Sequence, residues 1–168
     1  MYSFKKLFAT ICLVAVAACL VATGVSCNRI SKCGAGVCAN GGVCDNGNCV
    51  CATGYQGSTC QTVSRNAFMG NWTAFERNGI ALTEPYPVSI SAGKTAINDV
   101  TISNLFNEFT DPVNAYVVSD SVFIPYQKLA GYSIRGSGCL QANHILVINF
   151  VETTLLSNLI VAGAITLH

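Results

Sequence analysis

Residues 33–60 read CGAGVCANGGVCDNGNCVCATGYQGSTC and hold six of the chain's ten cysteines: Cys33, Cys38, Cys44, Cys49, Cys51 and Cys60. Beside them stand Val37, Val43, Val50 and Tyr55 and almost no other large apolar side chain. So short and polar a segment cannot bury enough surface to hold a fold, and it needs covalent staples. Thiols this dense imply an oxidising compartment, because cytosolic thiols are kept reduced. Counting alone leaves every pairing of the six open. Zinc is disfavoured, since its sites use paired Cys-x2–4-Cys motifs or histidines, and no histidine precedes His144.

The spacing Cys33-x4-Cys38-x5-Cys44-x4-Cys49-x-Cys51-x8-Cys60 resembles that of epidermal-growth-factor-like (EGF-like) modules. Asn40-Gly41-Gly42 before the third cysteine and Cys49-x-Cys51-x2-Gly54-Tyr55-x-Gly57-x2-Cys60 at the end are similar to the same family. The resemblance implies the pairs Cys33–Cys44, Cys38–Cys49 and Cys51–Cys60. In the pairing that the resemblance implies, Cys49 ties backward and Cys51 forward. Gly54 and Gly57 suit the positive-φ positions of the last hairpin. EGF-like modules that bind calcium carry acidic residues before the first cysteine. Here Asn28-Arg29-Ile30-Ser31-Lys32 has no carboxylate, so neither metal nor other cofactor is expected.

Upstream, Met1–Lys6 is a short basic start and Leu7–Val25 an apolar run, the layout of a secretory signal. The run also has the length of a membrane-spanning helix, so an uncleaved anchor is the alternative. Gly24-Val25-Ser26-Cys27 resembles the lipobox of bacterial lipoproteins, which would make Cys27 the lipid anchor. Val16-Ala17-Ala18-Cys19 fits the stricter form of that motif better. Cys27 is preferred because the polar chain starts directly after it. Lys5 and Lys6 on the inside would send the remainder outward in each case.

Downstream, residues 68–168 hold one further cysteine, Cys139, and many β-branched side chains. Eight short segments alternate apolar and polar residues. They are Met69–Arg77, with Trp72, Ala74 and Glu76 on one face, Tyr86–Ser91, Asp99–Leu105, Ala115–Val118, Ser121–Tyr126, Gly131–Gly136, Ile145–Glu152 and Leu159–Leu167. That rhythm predicts an all-β antiparallel meander closed as a barrel or packed as a sandwich, with at most a turn of helix at Asn104–Glu108 or Leu155–Ile160. His144–Val151 is apolar on both faces, which predicts a central or covered strand. Gly70-x-Trp72 resembles the Gly-x-Trp of lipocalins and related calycins. The run Asn98–Leu105, Ile124-Pro125 and Gly136-Ser137-Gly138 are similar to a lipocalin-like β domain that follows EGF-like modules in bacterial surface lipoproteins. The domains expected are thus a lipoprotein-type signal peptide over 1–26, an EGF-like module with a short tether over 27–62, and a lipocalin-like β domain over 63–168, with Gln61–Asn66 a polar linker.

No catalytic constellation emerges. Glu76, Glu84, Asp99, Glu108, Asp111, Asp120 and Glu152 are scattered, and read as solvated strand ends and turns. Gly131-Tyr132-Ser133-Ile134-Arg135 misses the nucleophile elbow at its last position. Cys139, behind Gly136-Ser137-Gly138, reads as an unpaired residue in or beside a turn. His144 reads as a turn or strand-end residue and His168 as a frayed terminus. Tyr116, Phe123, Tyr126 and Tyr132 could line a carbohydrate or apolar pocket, but core packing is the commoner role at strand spacing. A net charge of +1, falling to −1 without Lys5 and Lys6, gives no footprint for nucleic acid.

The sequence therefore predicts an exported, non-enzymatic protein tethered to the outer membrane and exposed at the cell surface. It would display a β domain on an EGF-like spacer to a protein, a glycan or a small apolar ligand. The alternative is a calycin-like carrier that holds a small apolar molecule inside the β domain.

Overall fold

The computed structural model describes Cys33 and residues 37–78, 81–82, 84–107, 109, 111–154 and 160–168. Residues 1–26 and Cys27, where the signal and anchor are expected, lie outside them. Lys32–His168 forms one compact unit.

The cysteine-rich part is two small antiparallel ladders. β1 (Val43–Asp45) pairs with β2 (Asn48–Val50), and β3 (Tyr55–Gln56) with β4 (Thr62–Val63). Asn46 and Gly47 turn β1 into β2 with φ of 51° and 96°, the Asn-Gly hairpin signal. Three disulfides close the module: Cys33–Cys44, Cys38–Cys49 and Cys51–Cys60, with Cα separations of 6.0, 5.5 and 5.2 Å. Val43 and Val50 stay 67% and 58% exposed, so burial of large side chains contributes little here.

Gln61–Asn66 is not the polar linker expected. Its first part completes the β3–β4 ladder, and Ser64–Ala67 is a 3-10 turn leading into the next domain. The Ser64 N–H donates to the Gly54 carbonyl at 2.9 Å. The turn and the module are thus one continuous hydrogen-bonded piece.

The rest is a closed eight-stranded antiparallel barrel, the first of the two architectures predicted. Its strands are β5 (Gly70–Asn78), β7 (Tyr86–Ala92), β8 (Asp99–Ser103), β9 (Val113–Val118), β10 (Ser121–Leu129), β11 (Tyr132–Leu140), β12 (Leu146–Thr154) and β13 (Ile160–Leu167). Each pairs with its neighbour in sequence; β6 (Ala81–Leu82) only extends the β5 hairpin. Closure comes from β13 against β5, with Ile165 opposite Glu76, Thr166 opposite Phe75 and Leu167 opposite Ala74. His168 continues this ladder rather than fraying: its N–H and carbonyl exchange bonds with Thr73 at 3.0 and 2.9 Å.

Strand alternation puts Trp72, Ala74, Val88, Ile90, Val100, Ile102, Val113, Val117, Val122, Ile124, Ile134, Ile148, Ile165 and Leu167 in one buried core. An eight-stranded barrel is just wide enough for such side chains to fill, or for one small ligand. At the end nearer the module, Trp72 donates to the Phe68 carbonyl at 2.9 Å and stacks on His144 with ring centroids 4.6 Å apart. His144 itself is a turn residue with φ of 59°. At the far end Leu105–Asn107 is a tight turn and not the turn of helix expected near Asn104, because Phe106 and Asn107 have left-handed backbone at φ 62° and 52°; it carries Phe106 onto Phe150, with ring centroids 3.9 Å apart. The other helical candidate, Leu155–Ile160, lies almost wholly outside the described residues.

β11 differs from its prediction. It runs on to Leu140, so Gly136-Ser137-Gly138 lies within a strand and not in a turn. A Cβ on Gly136 would stand 2.5 Å from the Asn149 carbonyl oxygen, and one on Gly138 2.6 Å from that of Val147. These glycines answer close packing against β12, which looks in sequence like turn chemistry. Cys139 consequently sits on the outer face of a strand, unpaired and exposed.

Candidate functional site

Among the expected site residues, the six module cysteines are consumed as structural bonds. The sulfurs of Cys33, Cys38 and Cys49 lie within 4.8 Å of one another, a spacing that could suggest a metal. Each is already in a disulfide, however, and a metal ligand must be a thiolate. The anchor residue Cys27 lies outside the described residues.

The module is seated on the barrel through a clasp. Arg65 Nη1 donates to the carbonyls of Ala96 and Asp99, both at 3.2 Å, where β7 crosses to β8. The Asp99 carboxylate accepts from the Ala96 N–H at 2.8 Å and shapes that crossing. Gly54, at φ 88°, lies so close that a Cβ there would collide with Ile97 Cγ2. A groove of about 460 Å³ runs along this seam between Cys51–Gly57 and Val117–Ser119.

Carboxylates do not assemble into a described catalytic group. Glu84, Asp111 and Asp120 are exposed and separate, and Glu108 lies outside the described residues. Glu76 and Glu152 depart from the solvated positions expected. Both sit at inward parity toward the far end of the barrel, and Glu152 is only 8% exposed. Tyr86, also inward, donates to Glu76 Oε2 at 3.3 Å. The parity of Glu76 with Trp72 and Ala74 was the signal for its inward direction.

The aromatic residues are arranged otherwise than core packing would have them. Several outward positions are small and polar: Thr73, Ser91, Asn114, Ser137 and Asn149 are exposed. Against that background Tyr116 is 39% exposed and stacks on half-buried Phe123, with centroids 5.3 Å apart and planes at 20°. Register carries this pair into a row across the sheet, because Tyr116 faces Phe123, Phe123 faces Ser137, and Ser137 faces Asn149. Tyr132 alone goes to the interior end cluster, at 5.5 Å from Phe109.

A bulge produces the most exposed member. The β10–β11 register shifts between Ile124 and Gln127, and Pro125 there has no N–H to give. The Gln127 amide takes over the ladder, accepting from the Asn114 N–H at 2.9 Å and donating to the Asn114 carbonyl at 2.7 Å. The displaced backbone turns Tyr126 outward, to 62% exposure.

Two grooves flank the stacked pair. One, of about 630 Å³, is lined by Phe123, Tyr126, Arg135, Ser137, Asn149 and Val151. The other, of about 470 Å³, is lined by Lys94, Thr101, Asn114, Tyr116 and Pro125, with Asp99 at its edge. The side chain of Arg135, exposed on β11, has no hydrogen-bond or ion-pair partner among the described residues. In comparisons with known proteins, no family model matches the chain and no curated protein matches it.

Proposed function

We propose that this chain is an exported, membrane-anchored, non-enzymatic binding protein whose EGF-like module presents a lipocalin-like barrel at the outer surface of a cell. The observation that carries the reading is the contrast between the barrel's two faces. Inside, Val88, Val100, Ile102, Val117, Ile134, Ile148 and Ile165 are at most 1% exposed. Outside, grooves with aromatic, amide and cationic groups face solvent. Three disulfides support export. Cys27 is the proposed lipid anchor, and the clasp at Arg65 makes the module a seat for the barrel rather than a loose stalk.

The carrier reading is favoured by a different observation: Glu76, Tyr86 and Glu152 face inward at the far end, where they could orient the polar head of an enclosed molecule. Native mass spectrometry of the exported chain, residues 28–168, separates the two. A protein mass with no adduct is expected; a co-purifying lipid-sized mass would replace the display reading with the carrier. The anchor has its own test. Labelling with radioactive palmitate should be lost in Cys27→Ser and kept in Cys19→Ser, and the reverse result would move the anchor.

A further inference from the structure

We propose that the outer face of β8–β12 binds an acidic glycan chain, laid across the strands over the Tyr116–Phe123 pair with a charged sugar held by Arg135. This rests on the reading of the chain as a surface binding protein and names the ligand class for it.

The geometry points to sugar in three ways. First, the aromatic pair is a ridge, not the floor of a closed pocket. A pyranose ring has an apolar C–H face that packs on an aromatic face, with hydroxyls around its rim that need partners. Phe123 and Tyr126 supply such faces beside Ser137, Asn149 and Arg135. An amide offers donors and an acceptor, and a guanidinium offers a rigid fork of donors, so both pair well with vicinal hydroxyls or a carboxylate.

Second, the groups repeat along a line. Neighbouring strands are about 4.8 Å apart, so the row Tyr116, Phe123, Ser137, Asn149 spaces its side chains on the scale of successive sugar rings. A groove with hydroxyl or amide groups and one cation lies on each side of the ridge, with Lys94 in one and Arg135 in the other. That suits a linear chain better than a single compact ligand.

Third, charge selects an acidic chain. The groove at Arg135 has no carboxylate in its lining. The groove at Lys94 also holds Asp99, whose charge offsets that lysine. A partner with uronate or sulfate groups would therefore pair chiefly with Arg135, where no carboxylate opposes it. A protein partner would favour a broad apolar centre emptied of water, whereas the row across the sheet passes from Tyr116 and Phe123 to the polar Ser137 and Asn149.

The test is calorimetry of the exported chain, residues 28–168, with galacturonate and chondroitin sulfate hexasaccharides and with the methyl-esterified galacturonate chain as the uncharged control. Binding to at least one acidic probe is expected, weaker at high salt and lost on esterification. Arg135→Ala and Tyr126→Ala should each weaken it about tenfold or more. Both positions are exposed, and unchanged Trp72 fluorescence and melting temperature would show that the barrel is intact. Failure of the intact protein to bind either acidic probe overturns the proposal; the adduct test above then still judges the wider reading by itself. Binding that survives both substitutions, or that is equal for the esterified chain, overturns the site or the charge selection while leaving a binding protein in place.

Discussion

The module and the barrel are stabilised by opposite means. In residues 37–63 the large apolar side chains Val37, Val43 and Val50 are 43–67% exposed, and three disulfides hold the chain. In the barrel some twenty apolar side chains are buried in a single core, and the one cysteine, Cys139, is unpaired on the surface. Bridges constrain the unfolded chain and leave the surface free. Burial commits one face of every strand and leaves only the other for function. The barrel's available chemistry is therefore concentrated on its outer face and at its ends.

This contrast can be broken from either side. The largest effect is expected in the core. Ile148, 0% exposed on β12, should cost about 2–5 kcal/mol as Ile148→Ala, read as a lowered urea midpoint of the Trp72 signal. A neutral result would mean that the interior is not packed. Removing Cys51 and Cys60 together as alanines should cost the module about 2–4 kcal/mol, seen as faster hydrogen exchange at Tyr55 and Gln56, while the Trp72 transition stays in place. If the Trp72 transition moved equally, module and barrel would be one cooperative unit.

Smaller changes sharpen the boundary between the two. Trp72→Phe loses the bond to the Phe68 carbonyl and reduces the ring overlap with His144, and should cost about 1–3 kcal/mol by leaving that buried carbonyl short of a donor. Denaturation followed by far-ultraviolet circular dichroism checks it. Arg65→Ala removes two bonds to the β7–β8 crossing and should cost about 1 kcal/mol. Its mark should be local: backbone relaxation by NMR should show residues 51–57 moving independently of the barrel, and unchanged relaxation would mean that the clasp does not hold them.

Much of the barrel was legible because its code is local. The alternation of Val88 and Ile90 against Pro87 and Ser89 announces an inward face within a few residues, and the same holds for Val100 and Ile102. The parity of Glu76 with Trp72 and Ala74 also pointed inward, but its charge led to a solvated reading that the structure corrects. Other features were misread because a local signal had a nonlocal cause. Gly136 and Gly138 read as a turn, yet they serve the approach of β12. Tyr116, Phe123 and Tyr126 read as core, because strand spacing alone does not say which parity faces in. The β10 bulge also changes that parity after Ile124.

By itself the sequence determined the stapled module and eight strands in a meander. Period-two alternation is written within single strands, and the cysteine spacing within the one short stretch from Cys33 to Cys60. Only the tertiary structure decided that the meander closes, through the pairing of residues 74–76 with 165–167. It also seated the module on the barrel through Arg65 and lined up Tyr116, Phe123, Ser137 and Asn149 on one outer face. Each of these depends on register between residues far apart in the chain, and register is set by the packing of the whole core.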